Sequence, residues 1–462
     1  MKEQKQDGGK AFSSEAMMGT APFLQVMFKM GIPAMIAQLI NIIYNIVDRI
    51  YIGHMEGDGS LALTGVGVTL PILIIVSAFS AFAGSGGAPL AAIALGRREH
   101  KRAEEILGNV VLMLIGFSVI LTALFQAVKE PVLYLFGASD ATISYAVEYL
   151  TIYLWGTLVV QLALGLNPFI SAQGKTGIAM LSVLLGAGLN IILDPVFIFV
   201  LDLGVSGAAI ATVISQCCSA VFVVGFLSSK RSSIRIRRQY LKLSAGIVGR
   251  IASLGVSPFI MQSTECMISV VFNSNLQKYG GDLYVGSLVI LQSVMQLVLT
   301  PVSGFNQGVQ PIISYNYGAG NKERVIGIMK RLMIINVTTS VVMTVLAMGF
   351  PGMFAKMFTT DAAMITLVKK VLPIFVAGCL IFGVQLSSQT TFLGLGQAKI
   401  SLFMALLRKV ILLIPLAIIF PRLFGVMGIY WAEPIADALA AIICGSTLFL
   451  RIGKILNEKN EG

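Results

Sequence analysis

Apolar runs of membrane-crossing length fill the chain, separated by short polar stretches. Residues 110–128 carry no charge at all, and residues 400–420 are apolar apart from Ser401, Arg408 and Lys409. A membrane-spanning helix needs about 20 apolar residues, and these runs meet that length. Strands of a membrane barrel would instead alternate in polarity over about 10 residues, and no such alternation is visible. The pattern predicts twelve spans, at 22–52, 60–92, 103–128, 131–170, 176–201, 204–229, 246–278, 283–315, 325–349, 353–393, 397–420 and 424–451. Several exceed one bilayer crossing, so their ends should protrude, tilt or kink. Spans and loops together use the chain up, leaving no room for a soluble catalytic or nucleotide-binding domain.

Composition supports lipid as the solvent. Hydrophobic residues make up 56% and charged residues 12%, with mean hydropathy +0.86, where a soluble domain carries roughly 25% charged residues. The net charge of +11 belongs to loops, not to a nucleic-acid face. Arg97, Arg98, Lys101 and Arg102 fall in the second loop, Lys230 to Lys242 in the sixth, and Lys322, Arg324, Lys330 and Arg331 in the eighth. Odd-numbered loops hold only isolated cations, which places both termini in the cytoplasm. The polar first ~20 residues lack the apolar core of a cleavable signal peptide. Cys217, Cys218, Cys266, Cys379 and Cys444 all lie inside spans and read as packing residues rather than a disulfide or zinc set.

The two halves repeat at a spacing near 222. Gly31 and Gln38 match Gly255 and Gln262. Gly86, Pro89, Gly96 and Arg102 match Gly308, Pro311, Gly318 and Arg324, and Gly174 matches Gly396. The run Gly204-Val205-Ser206-Gly207 returns as Gly425-Val426-Met427-Gly428. The expected fold is therefore an all-α membrane protein of twelve transmembrane helices in two six-helix bundles related by pseudo-two-fold symmetry. The expected units are an N-terminal lobe at 1–230, a basic cytoplasmic connector at 231–245 and a C-terminal lobe at 246–462. Repeats of this kind place a substrate site between the halves.

Polar residues inside spans are the candidates for chemistry, because a charge at mid-membrane costs at least ~2.5 kcal/mol. Gln38, Asn41, Asn45 and Asp48 share one face of the first span; Gln262, Glu265, Ser269 and Asn273 do the same on the seventh. A polar helix–helix contact is the alternative for each stripe. Asn190 and Asp194 lie one turn apart on the fifth span, and Pro195 beyond them should free a carbonyl. At 1.5 Å per residue, Asp194 is ~27 Å along its helix and Thr212 ~12 Å along the next, which runs the other way. With Asp48 they form a group in the outer half of the N-terminal bundle, fit to bind a proton or a small hard cation, or else a structural hydrogen-bond knot. In the C-terminal half, Gln292, Gln296 and Thr300 make a stripe on the eighth span. Glu433 and Asp437 sit one turn apart on the twelfth, facing a structural or ion-binding choice with Arg408 and Lys409 nearby in the sequence pattern. Glu265 reads as a carboxylate without a fixed cation, free to attract a cationic ligand.

The run Asn41-Ile42-Ile43-Tyr44-Asn45-Ile46-Val47-Asp48-Arg49-Ile50-Tyr51-Ile52-Gly53 resembles the first-helix signature of multidrug and toxic compound extrusion (MATE) transporters. Asn190 to Pro195 and Gly204 to Ala209 resemble the signatures of its fifth and sixth helices, and the likeness extends over essentially the whole chain. Together with Glu265 and Arg408, the first-helix wording is similar to the MepA-like bacterial branch. The resemblance implies antiport of organic cationic or amphipathic compounds in a bacterial inner (cell) membrane, driven by H+ or Na+. It implies a cation-coupling site at Asp48, Tyr149, Asn190, Asp194 and Thr212, a cavity position at Asn167 and a C-lobe carboxylate at Glu265. Residues 379–389 contain no acid, so the two-acid C-lobe sodium site of the NorM-like branch lacks its second member unless Glu433 or Asp437 replaces it.

Substrate binding is thus expected at Gln38, Asn41, Asn45, Asn167, Glu265, Gln292 and Gln296, and Glu433, Asp437 and Arg408 are a C-lobe ion site or a structural set. No cofactor is expected. The expected partners are small organic substrates and the lipid bilayer, not nucleic acid, and the chain is expected to act as a monomer. A flippase for a lipid-linked precursor is the competing function, but a pyrophosphate headgroup would want several cavity-facing Arg or Lys. An intramembrane enzyme would need clustered His, Cys or activated Ser, and His54 and His100 both fall near loops. A passive channel would have no use for the N-lobe carboxylates. No phosphate-binding loop pattern appears, so ATP is not the expected driving force.

Overall fold

The structure is a computed structural model that describes residues 14–53, 55, 59–359 and 361–457. The first thirteen residues, His54 and Asp58 of the first loop lie outside the described residues. A short helix α1 (Ser14–Thr20) precedes the N-terminal bundle of α2 (Phe23–Gly53), α3 (Gly59–Gly96), α4 (His100–Leu135), α5 (Ile143–Trp155), α6 (Thr157–Ala172), α7 (Thr176–Pro195) and α8 (Gly204–Ser228). The C-terminal bundle comprises α9 (Ala245–Gly280), α10 (Asp282–Gly318), α11 (Lys322–Gly349), α12 (Pro351–Phe358), α13 (Ala362–Phe375), α14 (Cys379–Gly394), α15 (Ala398–Leu406), α16 (Ile414–Phe424) and α17 (Val426–Asn457). Among the described residues ten helical segments are long and apolar enough to cross a membrane, and counting each bent pair, α5–α6 and α13–α14, as one span brings the number to twelve.

Two expected boundaries are corrected. The third span runs through Pro131 to Leu135, because a proline near a helix end sacrifices only one hydrogen bond. The helix then stops at Gly137, which takes φ +104°. Gly137 N donates to Tyr134 O and Ala138 N to Leu133 O, the paired bonds of a glycine-terminated helix. The fourth span therefore starts at Ile143, not at 131. The tenth starts at Ala362, with Asp361 accepting from Ala363 N as its cap; residues 351–358 form the separate helix α12.

The repeat in sequence is a repeat in backbone. Gly174 and Gly396 both take positive φ, as do Gly204 and Gly425, so each half turns the same corners at the same places. The fourth span of each half bends, by 60° at Gly156 and by 49° near Gly378. Neither glycine has room for a Cβ: it would strike Val213 in one case and Asp437 with Pro434 in the other.

The lobes meet along two seams, α3 against α9 and α10 against α2, and between these where α3 meets α10. The seams are equivalents under the repeat. A Cβ on Gly86 would strike Gly255, and one on Gly308 would strike Gly31. Gly96 packs on the Tyr315 carbonyl and Gly318 on that of Ile93. Missing side chains let these backbones touch, which is how helices associate where water gives no hydrophobic drive. These close approaches lie in the half of each helix nearer the basic loops, hereafter the basic end. The connector is tied to the N-terminal lobe. Ser232 Oγ donates to Gln173 Oε1, Ser244 N donates to Asn109 Oδ1, and Arg237 pairs with the buried Glu104 at 3.0 Å.

Candidate functional site: a polar cluster beside an intramembrane cavity

Asn190 and Asp194 are buried, as their positions on one face of α7 require. Asn190 Nδ2 donates to Asp194 Oδ1 at 3.1 Å and reaches Thr212 Oγ1 of α8 at 3.5 Å. Asp48 of α2 places its carboxyl near that of Asp194. Tyr149 of α5 is buried near Thr212 and stacks on Tyr153 with ring centroids 6.3 Å apart. Four helices thus deliver Asp48, Tyr149, Asn190, Asp194 and Thr212 to one place. Pro195 has no N–H for the Ile191 carbonyl, and α7 ends there in a π-helical turn, Val196–Val200, a distortion frequent at functional sites. Asp194 Oδ2 and Asn190 Oδ1 are buried without a hydrogen-bond partner among the described residues. An open amide oxygen and an open carboxyl oxygen, with the Asp48 carboxyl nearby, make an acceptor-rich pocket whose chemistry suits a proton or a small cation. Tyr44, one turn before Asp48 and electrostatically coupled to both acids, belongs to the same place. The sequence pattern does not single it out, although its i, i+4 spacing to Asp48 is a legible signal.

A cavity of about 110 Å³ opens from this cluster. Gln38, Asn41 and Tyr44 form one wall, Asn167 another, and Asn190 and Thr212 a third. Gln307 of the other lobe closes it, accepting from Gln38 Nε2 at 2.9 Å. Asn167 is partly committed elsewhere: its Nδ2 donates to Ala179 O and Ser182 Oγ, tying α6 to α7. Asn45 is exposed and donates to Asn41 O. Gln292 is half-buried and Gln296 exposed on α10; Asn45, Gln292 and Gln296 do not line this cavity.

The C-terminal lobe holds a separate charged group. A π-helical turn, Leu407–Leu413, joins α15 to α16 and carries Arg408 and Lys409. Consecutive residues do not share a face, so the two cations serve different helices. Arg408 Nε donates to Asp437 Oδ1 at 2.6 Å and Nη2 to Glu433 Oε1 at 3.0 Å on α17, with the guanidinium 4.4 Å above the Phe382 ring. Lys409 Nζ donates to Met261 O at 2.6 Å and to Glu265 on α9. The expectation of a Glu265 without a fixed cation is therefore corrected. Its side chain is nonetheless 57% exposed, against 4% for Lys409, because the lysine stem is packed and the carboxylate lies at the rim.

Two repeated helical lobes, with a polar cavity inside the first that the second caps through Gln307, are the architecture of a polytopic membrane transporter. The MatE family model matches residues 33–196 and again 258–419, once per lobe, and the chain belongs to that family. It is 27% identical over 446 residues to the multidrug export protein MepA of Staphylococcus aureus (strain MRSA252), covering 96% of this chain and 97% of the relative. It is also 27% identical over 420 residues to MepA of Staphylococcus haemolyticus, covering 91% and 92%. Among solved structures, an outward-facing multidrug resistance MATE family transporter superposes with TM-score 0.90 at 23% identity, over 97% of this chain and 99% of that one. A MOP superfamily transporter from Pyrococcus furiosus superposes with TM-score 0.89 at 22% identity, over 97% and 99%.

Proposed function

We propose that this chain is a secondary active multidrug exporter of organic cationic or amphipathic compounds, driven by proton or sodium antiport with alternating access. One observation carries the reading: the polar cluster and the cavity share a wall, since Asn190 and Thr212 belong to both. A cation on Asp48 and Asp194 therefore alters the surface a substrate meets. That gives the two ligands the differential interaction that coupled transport requires. The MepA relatives support export as the direction and drugs as the cargo. The in-membrane cations Arg408 and Lys409 are held by carboxylates, which favours cationic cargo over a pyrophosphate-linked lipid.

In this reading Gln38, Asn41 and Asn167 line the substrate path, and Glu265 is a second, charged station that a cationic substrate reaches by displacing Lys409. Residues 1–230 and 246–462 move as units, with 231–245 as the strap on the first. The basic loops face the cytoplasm, so lobes joined at the basic end leave the path open outward.

Transport in proteoliposomes with proton and sodium gradients imposed separately tests the reading. Asp48→Asn and Asp194→Asn are expected to keep substantial drug binding and lose uphill efflux. The double variant should be little worse than either single one, because the two acids act as one site. Normal gradient-driven efflux by a well-expressed Asp194→Asn protein refutes the assignment.

A further inference from the structure

A second cavity, of about 320 Å³, lies between the lobes at the basic end. The N-terminal lobe gives it Arg97 and Arg102 and the C-terminal lobe Arg250. The three arginines are exposed, and among the described residues none of their guanidinium groups has an ion-pair or hydrogen-bond partner. Glu99 also lines the cavity and is the acid there. It occupies the N-cap of α4 without capping it, so the free N–H groups of a long helix start beside the same space and add positive potential.

Basic loops follow from topology alone. Topology does not require three arginines from both lobes to converge on one void. The repeat shows that the void is particular to this side. Arg324 is the counterpart of Arg102, and it is satisfied: Nε donates to Met18 O at 3.0 Å and Nη2 to Ala21 O at 2.5 Å. Asn316 Nδ2 also donates to Met18 O, and Ser14 lies against Gly174, the counterpart of Gly396 in the arginine-lined wall. Helix α1 thus fills the equivalent space with peptide carbonyls. On the arginine side the segment in the place of α1 is the connector, which packs further along α4, with the Tyr240 carbonyl against Gly108.

We propose that the Arg97–Arg102–Arg250 cavity binds a phosphate-class anion, and that the bound anion clamps the two lobes together at the basic end. Guanidinium pairs match phosphate oxygens with forked hydrogen bonds, and basic pockets between transmembrane helices are where acidic headgroups seat. The phosphate could come from an acidic lipid or from a soluble phosphate ester. Because Arg97 and Arg102 lie on one lobe and Arg250 on the other, the site exists in full only while the lobes touch there. The anion therefore favours that conformer.

The test uses the full chain in neutral detergent, with the unfolding midpoint followed during titration. The probes are short-chain phosphatidylglycerol, short-chain phosphatidylcholine and inorganic phosphate. Stabilisation by phosphatidylglycerol alone assigns the site to lipid, and equal stabilisation by inorganic phosphate assigns it to a soluble ester. No stabilisation by either overturns the proposal. The variant Arg97→Gln/Arg102→Gln/Arg250→Gln should weaken the apparent affinity by about tenfold or more. The charge-matched control Lys101→Gln/Arg238→Gln/Lys242→Gln should not. An equal loss in the control means diffuse surface attraction and overturns the site. In a cysteine-free background, the anion should also slow labelling of a cysteine placed at Ser314, a buried position lining a cavity between the lobes; an unchanged rate overturns the clamp.

Discussion

Replacing Arg408 by Met should be among the most damaging single changes in the C-terminal lobe. Arg408 makes two charge-assisted hydrogen bonds, at 2.6 Å and 3.0 Å, to carboxylates that are 0% and 7% exposed. It also covers the Phe382 ring. Met keeps the packing of the stem and removes the charge. Asp437 and Glu433 then face each other one turn apart in the membrane with no cation. Lys409 does not replace it, being held to α9 by Met261 O and Glu265. Breaking a buried pair in this way costs about 3–5 kcal/mol, most of it the uncompensated charge left behind. The origin of the cost yields a control. Arg408→Met/Glu433→Gln/Asp437→Asn removes both negative charges along with the positive one, and the two amides can hydrogen-bond to each other. The triple variant should lie within about 1–2 kcal/mol of the wild type, far above the single one. The assay is the thermal midpoint in detergent together with the monodisperse fraction after heating, since unfolding of such proteins is commonly irreversible. Equal damage in the single and triple variants, or a harmless Arg408→Met, would show that the triad is not the structural unit its geometry describes.

Two further outcomes follow from the seams and from the rim carboxylate. Gly255→Val places a Cβ against the Phe82 carbonyl; such a clash costs ~1–3 kcal/mol and should raise labelling of a cysteine at Ser85, beside Gly86 on the same seam, from the basic end roughly five- to hundred-fold. An unchanged labelling rate means the seam is not the closure. Lys409→Met frees Glu265 and should tighten binding of monovalent organic cations about two- to five-fold, the worth of a half-exposed pair at ~0.5–1 kcal/mol. Neutral substrates should be unaffected, and equal gains for both classes contradict a charged station at Glu265.

What the sequence shows and what it hides divides along the range of the interactions. Span number, the bundle repeat and the glycine corners are local or periodic facts, and each half writes them twice: Gly174 with Gly396, Gly204 with Gly425. The meeting of Asp48 with Asp194 is also legible, because one face per helix and similar depth confine both to one region. The break after Leu135 is not, since Pro131 attracts the boundary while the glycine at 137 makes it. Nor is the division of Arg408 from Lys409. As neighbours in sequence they look like one patch, and only the π-helical turn and the flanking helices send one to α17 and the other to α9. The seam glycines show the same limit more sharply. Gly31, Gly86, Gly255 and Gly308 stand out as repeat partners, but periodicity cannot say which glycine touches which. A glycine without a Cβ is an absence that acquires meaning from the backbone opposite, here the other lobe. Pairing across the pseudo-axis puts Gly86 on Gly255 and Gly31 on Gly308, so each seam is built from one member of each repeated pair. A change in either lobe that fills one seam leaves its mirror intact, and the lobes can then part on one side before the other. Contact between the lobes at the basic end thereby rests on the fidelity of two equivalent backbone approaches.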